Sequence, residues 1–433
     1  MTDRKKGFTR RTFLKGTGAA LAGAALSGGK IAQQGIFAPR VVHAQNEVVL
    51  AIQGFAHDAI KAILPEFESA TGLTVKLEEG PASGNDMLTK YSTAFAANNS
   101  PVDVFSDADE SSPVFARAGW VEPLDDIIPQ ETWDDFPESM QGQIEKFHSF
   151  DGARYRIPHE FAMGYFFTRS DWFAEKGVSS PATWDEMVEI GKMFTDPEKG
   201  IWGTTDGLIK PALLYVYVAY LTAQAGGDVF AFDDGTAQAL QFLYDMMHTH
   251  KIFPETALNQ DYNAQNELYM ADKVAFMRQW PFFQSVAEGN TEWYAPEKMK
   301  IELPPAGPAG SKSWWGGWGF SIPTSAPNKD GARELIKFLT SVENAPRLAE
   351  GQSWFIMPRK SILAHFEGKG NPIVEAMGRY SDNMVPAARP FHPRVAEAQI
   401  IVDDMASLFL TKQASLSDVL KQGQELIKQL EAE

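Results

Sequence analysis

The chain has 433 residues, 44% hydrophobic and 12% aromatic, which is enough to bury substantial cores and favours two domains over one. It contains no cysteine, which excludes disulfides, thiolate-bound metals, iron–sulfur clusters, a cysteine nucleophile and a lipid-modified N-terminal cysteine. The formal net charge of −17 repels nucleic acid and anionic membrane surfaces and otherwise serves solubility.

Arg4, Lys5 and Lys6 lead into Thr9-Arg10-Arg11-Thr12-Phe13-Leu14-Lys15, then a weakly apolar run from Gly16 to Leu26 and Val42-His43-Ala44 before Gln45. This resembles a twin-arginine export signal built on Arg10 and Arg11, with cleavage expected near Ala44 and the periplasm as destination. The apolar run is shorter and richer in glycine and alanine than the roughly 20 strongly apolar residues of a spanning helix. Gly16-Thr17-Gly18 is not a dinucleotide loop, because Leu21 stands where the third glycine belongs. Removing residues 1–44 takes away eight basic residues and one acidic residue, leaving 31 basic against 55 acidic and a net charge of −24.

Glu47 to Ile52 reads as a buried strand, followed by a turn at Gln53-Gly54-Phe55-Ala56-His57. A helical pattern through Ile60, Ile63, Leu64 and Phe67 follows, which Pro65 should bend or shorten and Thr71-Gly72 should end. Leu73, Val75 and Leu77 alternate with polar residues as a second strand would, a helix is expected from about Asn85 to Ala97, and Val102 to Phe105 reads as a third strand. Such a β-α-β-α-β start builds a mostly parallel sheet whose ligand-holding loops lie at the strand carboxyl ends. Gln53 and His57 follow the first strand, and Asp107-Ala108-Asp109-Glu110 follows the third. An ionised carboxylate accepts two directional hydrogen bonds from a diol, so Asp107 and Asp109 read as hydroxyl acceptors; capping of the next helix is the other reading.

Further along, Ala118 to Asp126, Tyr155-Arg156-Ile157-Pro158, Tyr165 to Asp171 and Pro181 to Met187 follow one another, then Ala225-Gly226-Gly227-Asp228 and Met270 to Met277. In order and spacing these segments resemble the solute-binding proteins of carbohydrate ABC importers, of the maltose-binding-protein type, over nearly the whole chain beyond residue 44. The resemblance implies an α/β fold of two lobes joined by a hinge, each a mixed, mostly parallel sheet flanked by helices. It also implies a sugar, polyol or glycoside held between the lobes, delivery to the permease subunits of an importer, a monomer, no catalysis and no cofactor.

The densest aromatic stretch is Ser313-Trp314-Trp315-Gly316-Gly317-Trp318-Gly319-Phe320, which fits neither a helical period nor a clean strand alternation. Flat indoles suit the C–H face of a sugar, so Trp314, Trp315, Gly317 and Trp318 are expected in a ligand wall; core burial is the plainer reading of each ring. Gln279-Trp280-Pro281 follows a strand and sits where the resembling family offers an aromatic, Trp354 and Arg359 fall in a segment that resembles the family's stretch after the returning helix, and Arg389 in one that resembles a loop near its cleft; a surface ion pair is the plainer reading of each arginine. The tyrosines of Pro211 to Ala225 read as core.

Catalytic patterns are weak. His159-Glu160-Phe161-Ala162-Met163 lacks the second histidine of a zinc protease, so no metal set is expected and His159 and Glu160 read as a hinge or cleft-lip pair. No Gly-x-Ser-x-Gly elbow occurs, and carboxylates two residues apart at one strand end flank a single glycosidic bond awkwardly. The rival readings are a periplasmic carbohydrate-acting enzyme and the same fold binding a polyamine. The lobes are expected at 45–158 plus 305–352 and at 159–304 plus 353–433. A helix led by Ser415-Leu416-Ser417-Asp418 should close the chain.

Overall fold

The computed structural model describes residues 46–432 apart from 82, 314, 384–386 and 388, so Arg10, Arg11, the expected cleavage point and Trp314 lie outside the described residues. Eleven strands are present among them: β1 (Glu47–Ile52), β2 (Thr74–Glu79), β3 (Val104–Ala108), β4 (Ser149–Phe150), β5 (Ala153–Arg154), β6 (Ile157–Met163), β7 (Tyr165–Arg169), β8 (Trp202–Thr205), β9 (Val274–Gln279), β10 (Met299–Glu302) and β11 (Trp315–Ser321). They form one sheet in the order β2-β1-β3-β11-β6, a second in the order β10-β7-β9-β8, and the small β4–β5 hairpin.

The opening β-α-β-α-β unit folds as the periodicity predicts. β1 is buried from Val48 onward and pairs in parallel with β2 and β3, and each fully buried Val, Leu or Ile contributes about 1.5–3 kcal/mol. Helix His57–Thr71 runs through Pro65 and ends on Gly72 in the left-handed region, φ 72°. β3 ends three residues later than the sequence reading, at Ala108, so Asp107 is a strand residue and not a loop residue. The Trp-Gly stretch is also a strand, wedged antiparallel between β3 and β6, with its register against β6 shifting between Trp318 and Gly319. Gly319 permits this, because a Cβ there would lie 2.5 Å from Arg156 Cγ and from the Ile157 carbonyl.

Both sheets are mixed. Among the described residues the parallel pairs are two of four in the first sheet and one of three in the second, fewer than a mostly parallel sheet implies. β6 pairs with β11 along its length, so the first crossing between lobes falls at Gly164 and not at 158. The second lies between β10 and β11. Ser353 bridges to the second lobe through Pro281 and Ser285, and residues 359–366 lie with the first lobe, where Arg359 and Ser361 bond Asp135. Helix Pro372–Asn383 returns to the second sheet, with Tyr380 donating to the Glu302 carbonyl at 2.7 Å. Helix Leu213–Ala225 is buried nearly all round in the second-lobe core, tyrosines included. No helix among the described residues is long and apolar enough to cross a membrane.

Candidate functional site

Strand direction decides which loops meet. β1, β2, β3 and β6 run the same way and β11 opposes them, so one edge of the first sheet carries Gln53, Phe55, Asp109, Glu110, Glu160 and Trp318. β6 leaves this edge through Gly164 and starts the second sheet as β7; β8, β9 and β10 end there, bringing Asp206, Arg278, Trp280 and Phe282 to the facing edge. Phe55 of the first lobe stacks on Phe282 of the second, centroids 5.1 Å apart and planes 19° apart. The edges that α/β sheets use for ligands therefore face each other across the hinge. An open groove of about 570 Å³ on the second lobe, lined by Trp172, Met193 and Phe194, lies at the opposite end of that sheet.

The first-lobe edge holds an ionic cluster. Arg156, wholly buried, donates to the Asp107 carbonyl at 2.9 Å and to the Asp109 carboxylate, and packs its guanidinium on His148. Asp109 also accepts from Gly317 N–H at 2.8 Å and from Arg389 Nη1 at 2.7 Å, and Arg389 Nη2 pairs with Glu110. Asp107 accepts from the Ser111 hydroxyl at 2.5 Å, and burial pushes it up to about 7 against the pull of Arg156. Burial and the neighbouring Arg156 hold His148 well below the usual histidine range, so it serves as a neutral partner.

This geometry revises several expectations. Asp107 and Asp109, expected to hold ligand hydroxyls, are spent on serine, arginine and backbone donors, and Gly317 is spent on Asp109. His57 turns back to the Ile52 carbonyl at 3.0 Å. Arg359 is buried away from the cleft, with Nε on Asp135 at 2.8 Å and Nη1 on the Thr340 carbonyl. Arg389 does reach the cleft edge, as a bridge to Asp109 and Glu110. His159 packs between Phe320 and Trp354 and bonds Ser106 at 2.9 Å, and burial keeps it neutral.

Three polar groups at the edges keep capacity for a ligand. Gln53 donates to the Pro81 carbonyl at 2.7 Å, but its Oε1 makes no hydrogen bond among the described residues. Glu160 is 3% exposed, and its only hydrogen-bonding neighbour among the described residues is the Trp318 backbone; burial and the nearby Asp109 push its carboxyl well above the usual range. The third is Arg278, in β9. Of the indoles, Trp318 and Trp280 are half-buried at the two edges, while Trp315 and Trp354 are 8% and 3% exposed and packed. Trp354 is ringed by Phe55, His159 and Phe355. Sequence reasoning missed Phe55, Glu110, Arg156, Arg278 and Phe282 as site residues. The two phenylalanines each sit a few residues past a strand end, a signal that was available.

The chain matches the family of bacterial extracellular solute-binding proteins over residues 56–346, and it belongs to that family. Among curated relatives, the maltotriose-binding protein of Pyrococcus abyssi is 25% identical over 361 residues, 79% of this chain and 73% of that one. A probable ABC transporter-binding protein of Deinococcus radiodurans is 24% identical over 317 residues, 70% of this chain and 73% of that one. Among solved structures, maltose-bound MalE3 of T. maritima superposes with a TM-score of 0.77 at 24% identity, covering 89% of this chain and 99% of that one. A D-mannitol-bound solute-binding protein from Agrobacterium vitis gives 0.73 at 20% identity, covering 89% and 98%. The fold is thus the two-lobe periplasmic binding fold.

Proposed function

We propose that the protein captures a neutral sugar, polyol or glycoside between its lobes, without chemical change, and as a monomer delivers it to the permease subunits of an ABC importer. The observation that carries this reading is the pairing of polar groups that keep capacity for a ligand, the unpartnered buried Gln53 Oε1 above all and also Glu160 and Arg278, with half-buried indoles, Trp318 and Trp280, on facing sheet edges. A polyhydroxylated ring needs both kinds of contact. The maltotriose-binding relative and the maltose- and mannitol-bound structures support the same ligand class. The test is a thermal-shift screen of residues 45–433 against maltose, maltotriose, D-tagatose, ribitol, D-mannitol, a sugar acid and spermidine. A ligand at 100 times its Kd is expected to stabilise by about 2.7 kcal/mol and to be recovered unchanged after incubation. A response to spermidine alone, or product that accumulates with protein concentration, would overturn the reading.

Export belongs to the same proposal. Arg10 and Arg11 within Thr9 to Lys15, before a weakly apolar run, support the twin-arginine route. Replacing both with lysine is expected to hold the precursor in the cytoplasm, as fractionation would show; normal periplasmic arrival would refute it.

A further inference from the structure

Arg278 is the penultimate residue of β9 and is 3% exposed at the cleft end of that strand. Its Nε and Nη2 donate to the two oxygens of Asp206, both at 2.8 Å, and Nη2 also donates to the Tyr262 hydroxyl at 3.1 Å. The rings of Trp280, Tyr262, Tyr220 and Tyr217 surround the guanidinium at 5.2, 5.5, 5.9 and 6.0 Å. Three bonds and four rings leave a planar fork no freedom to turn. Its last nitrogen, Nη1, carries two N–H donors and makes no hydrogen bond among the described residues. Gly164, the first crossing between the lobes, lies against it: a Cβ there would stand 3.1 Å from Arg278 Cδ and 3.2 Å from Nη1.

We infer that Arg278 Nη1 is a ligand contact, donating to a hydroxyl or ring oxygen of a neutral carbohydrate at the hinge, with Asp206 and Tyr262 as positioning residues. The inference rests on the carbohydrate reading and adds to it the reading atom of the second lobe. A donor pair without a protein partner is open to a ligand acceptor, and the arrangement fixes where Nη1 points. The ligand class follows from charge. Asp206, fully buried, is pushed by burial up to about 6 against Arg278 and still balances the guanidinium at neutral pH. The site therefore offers directional donors without a spare positive charge, which suits a neutral oxygen better than a sugar acid.

The experiment compares each panel sugar that binds with its monodeoxy analogues, by calorimetry, on the wild-type chain and two variants. R278Q is made together with D206N so that no unpaired buried carboxylate remains, and G164A keeps both charges while pushing a methyl group into the guanidinium. Unliganded melting points establish that each variant is folded. For R278Q/D206N the expected result is at least a tenfold loss of affinity for the parent sugar and little further loss for one deoxy analogue, the one lacking the contacted oxygen. G164A should show the same pattern more weakly. Equal losses on the parent and every analogue would mean a structural role and overturn the inference, as would normal binding by both variants. If the wild-type chain binds none of maltose, maltotriose, D-tagatose, ribitol or D-mannitol, the carbohydrate reading falls and takes this inference with it.

Discussion

Replacing Arg156 with methionine is expected to destabilise the protein by about 3–5 kcal/mol, the range for removing one partner of a buried ion pair. The side chain is wholly buried and serves three acceptors at once: the Asp107 carbonyl, the Asp109 carboxylate and the neutral His148 ring. Methionine fills much of the volume but leaves the Asp109 carboxylate without that guanidinium and the Asp107 carbonyl without its donor, in a low-dielectric pocket. Arg389 and Gly317 N–H still reach Asp109, so the loss should fall short of a charge left wholly alone. Urea unfolding of R156M, D109N and the double variant forms a cycle that isolates the pair. The double variant should recover part of the loss, because it removes the carboxylate that the single change strands. A loss under about 1 kcal/mol for R156M, the value of an exposed pair, would show that this cluster does not hold the first-lobe edge together.

That cluster also marks where the sequence stopped being legible. The β-α-β-α-β opening, the helix at Leu213–Ala225 and the capping serine at Ser415 follow from local periodicity and local hydrogen bonds, so they could be read directly. Asp107 could not, because its role depends on β3 running to Ala108 and on Ser111 and Arg156 closing over it, contacts 4 and 49 residues away. Arg278 was passed over for the same reason: its partners Asp206 and Tyr262 lie 72 and 16 residues away in sequence. Trp315 to Phe320 was legible in part, as glycines that mark a bulge or a close approach, while which indole faces the cleft was not. The lack of clean alternation there has a cause in the fold, a register shift between Trp318 and Gly319 and the close approach of Arg156 beneath Gly319. Arg359 and Arg389 look alike as isolated arginines near prolines, and only tertiary folding sends one to Asp135 and the other to the cleft edge.

The tryptophans should separate into two groups by what their loss damages. Trp354 is 3% exposed and packed among Phe55, His159 and Phe355, and Trp315 is 8% exposed within the main core, so alanine at either should cost about 3–5 kcal/mol of stability. Trp318 and Trp280 are half-buried on facing edges, and the Arg278 guanidinium sits 5.2 Å from the Trp280 ring centroid. Truncating either removes less core and more of the wall a sugar would stack on. A micromolar ligand is held by about 8 kcal/mol, which hydrogen bonds of roughly 0.5–1.5 kcal/mol net each reach only with help from ring faces. Losing one face should therefore weaken binding at least tenfold, while the unliganded melting temperature moves much less than for W354A. Calorimetry and unliganded melts on W280A, W315A, W318A and W354A measure both quantities in the same proteins. If W318A and W280A bind every responding sugar as tightly as the wild type, the two indoles are packing and the cleft holds its ligand by polar contacts alone.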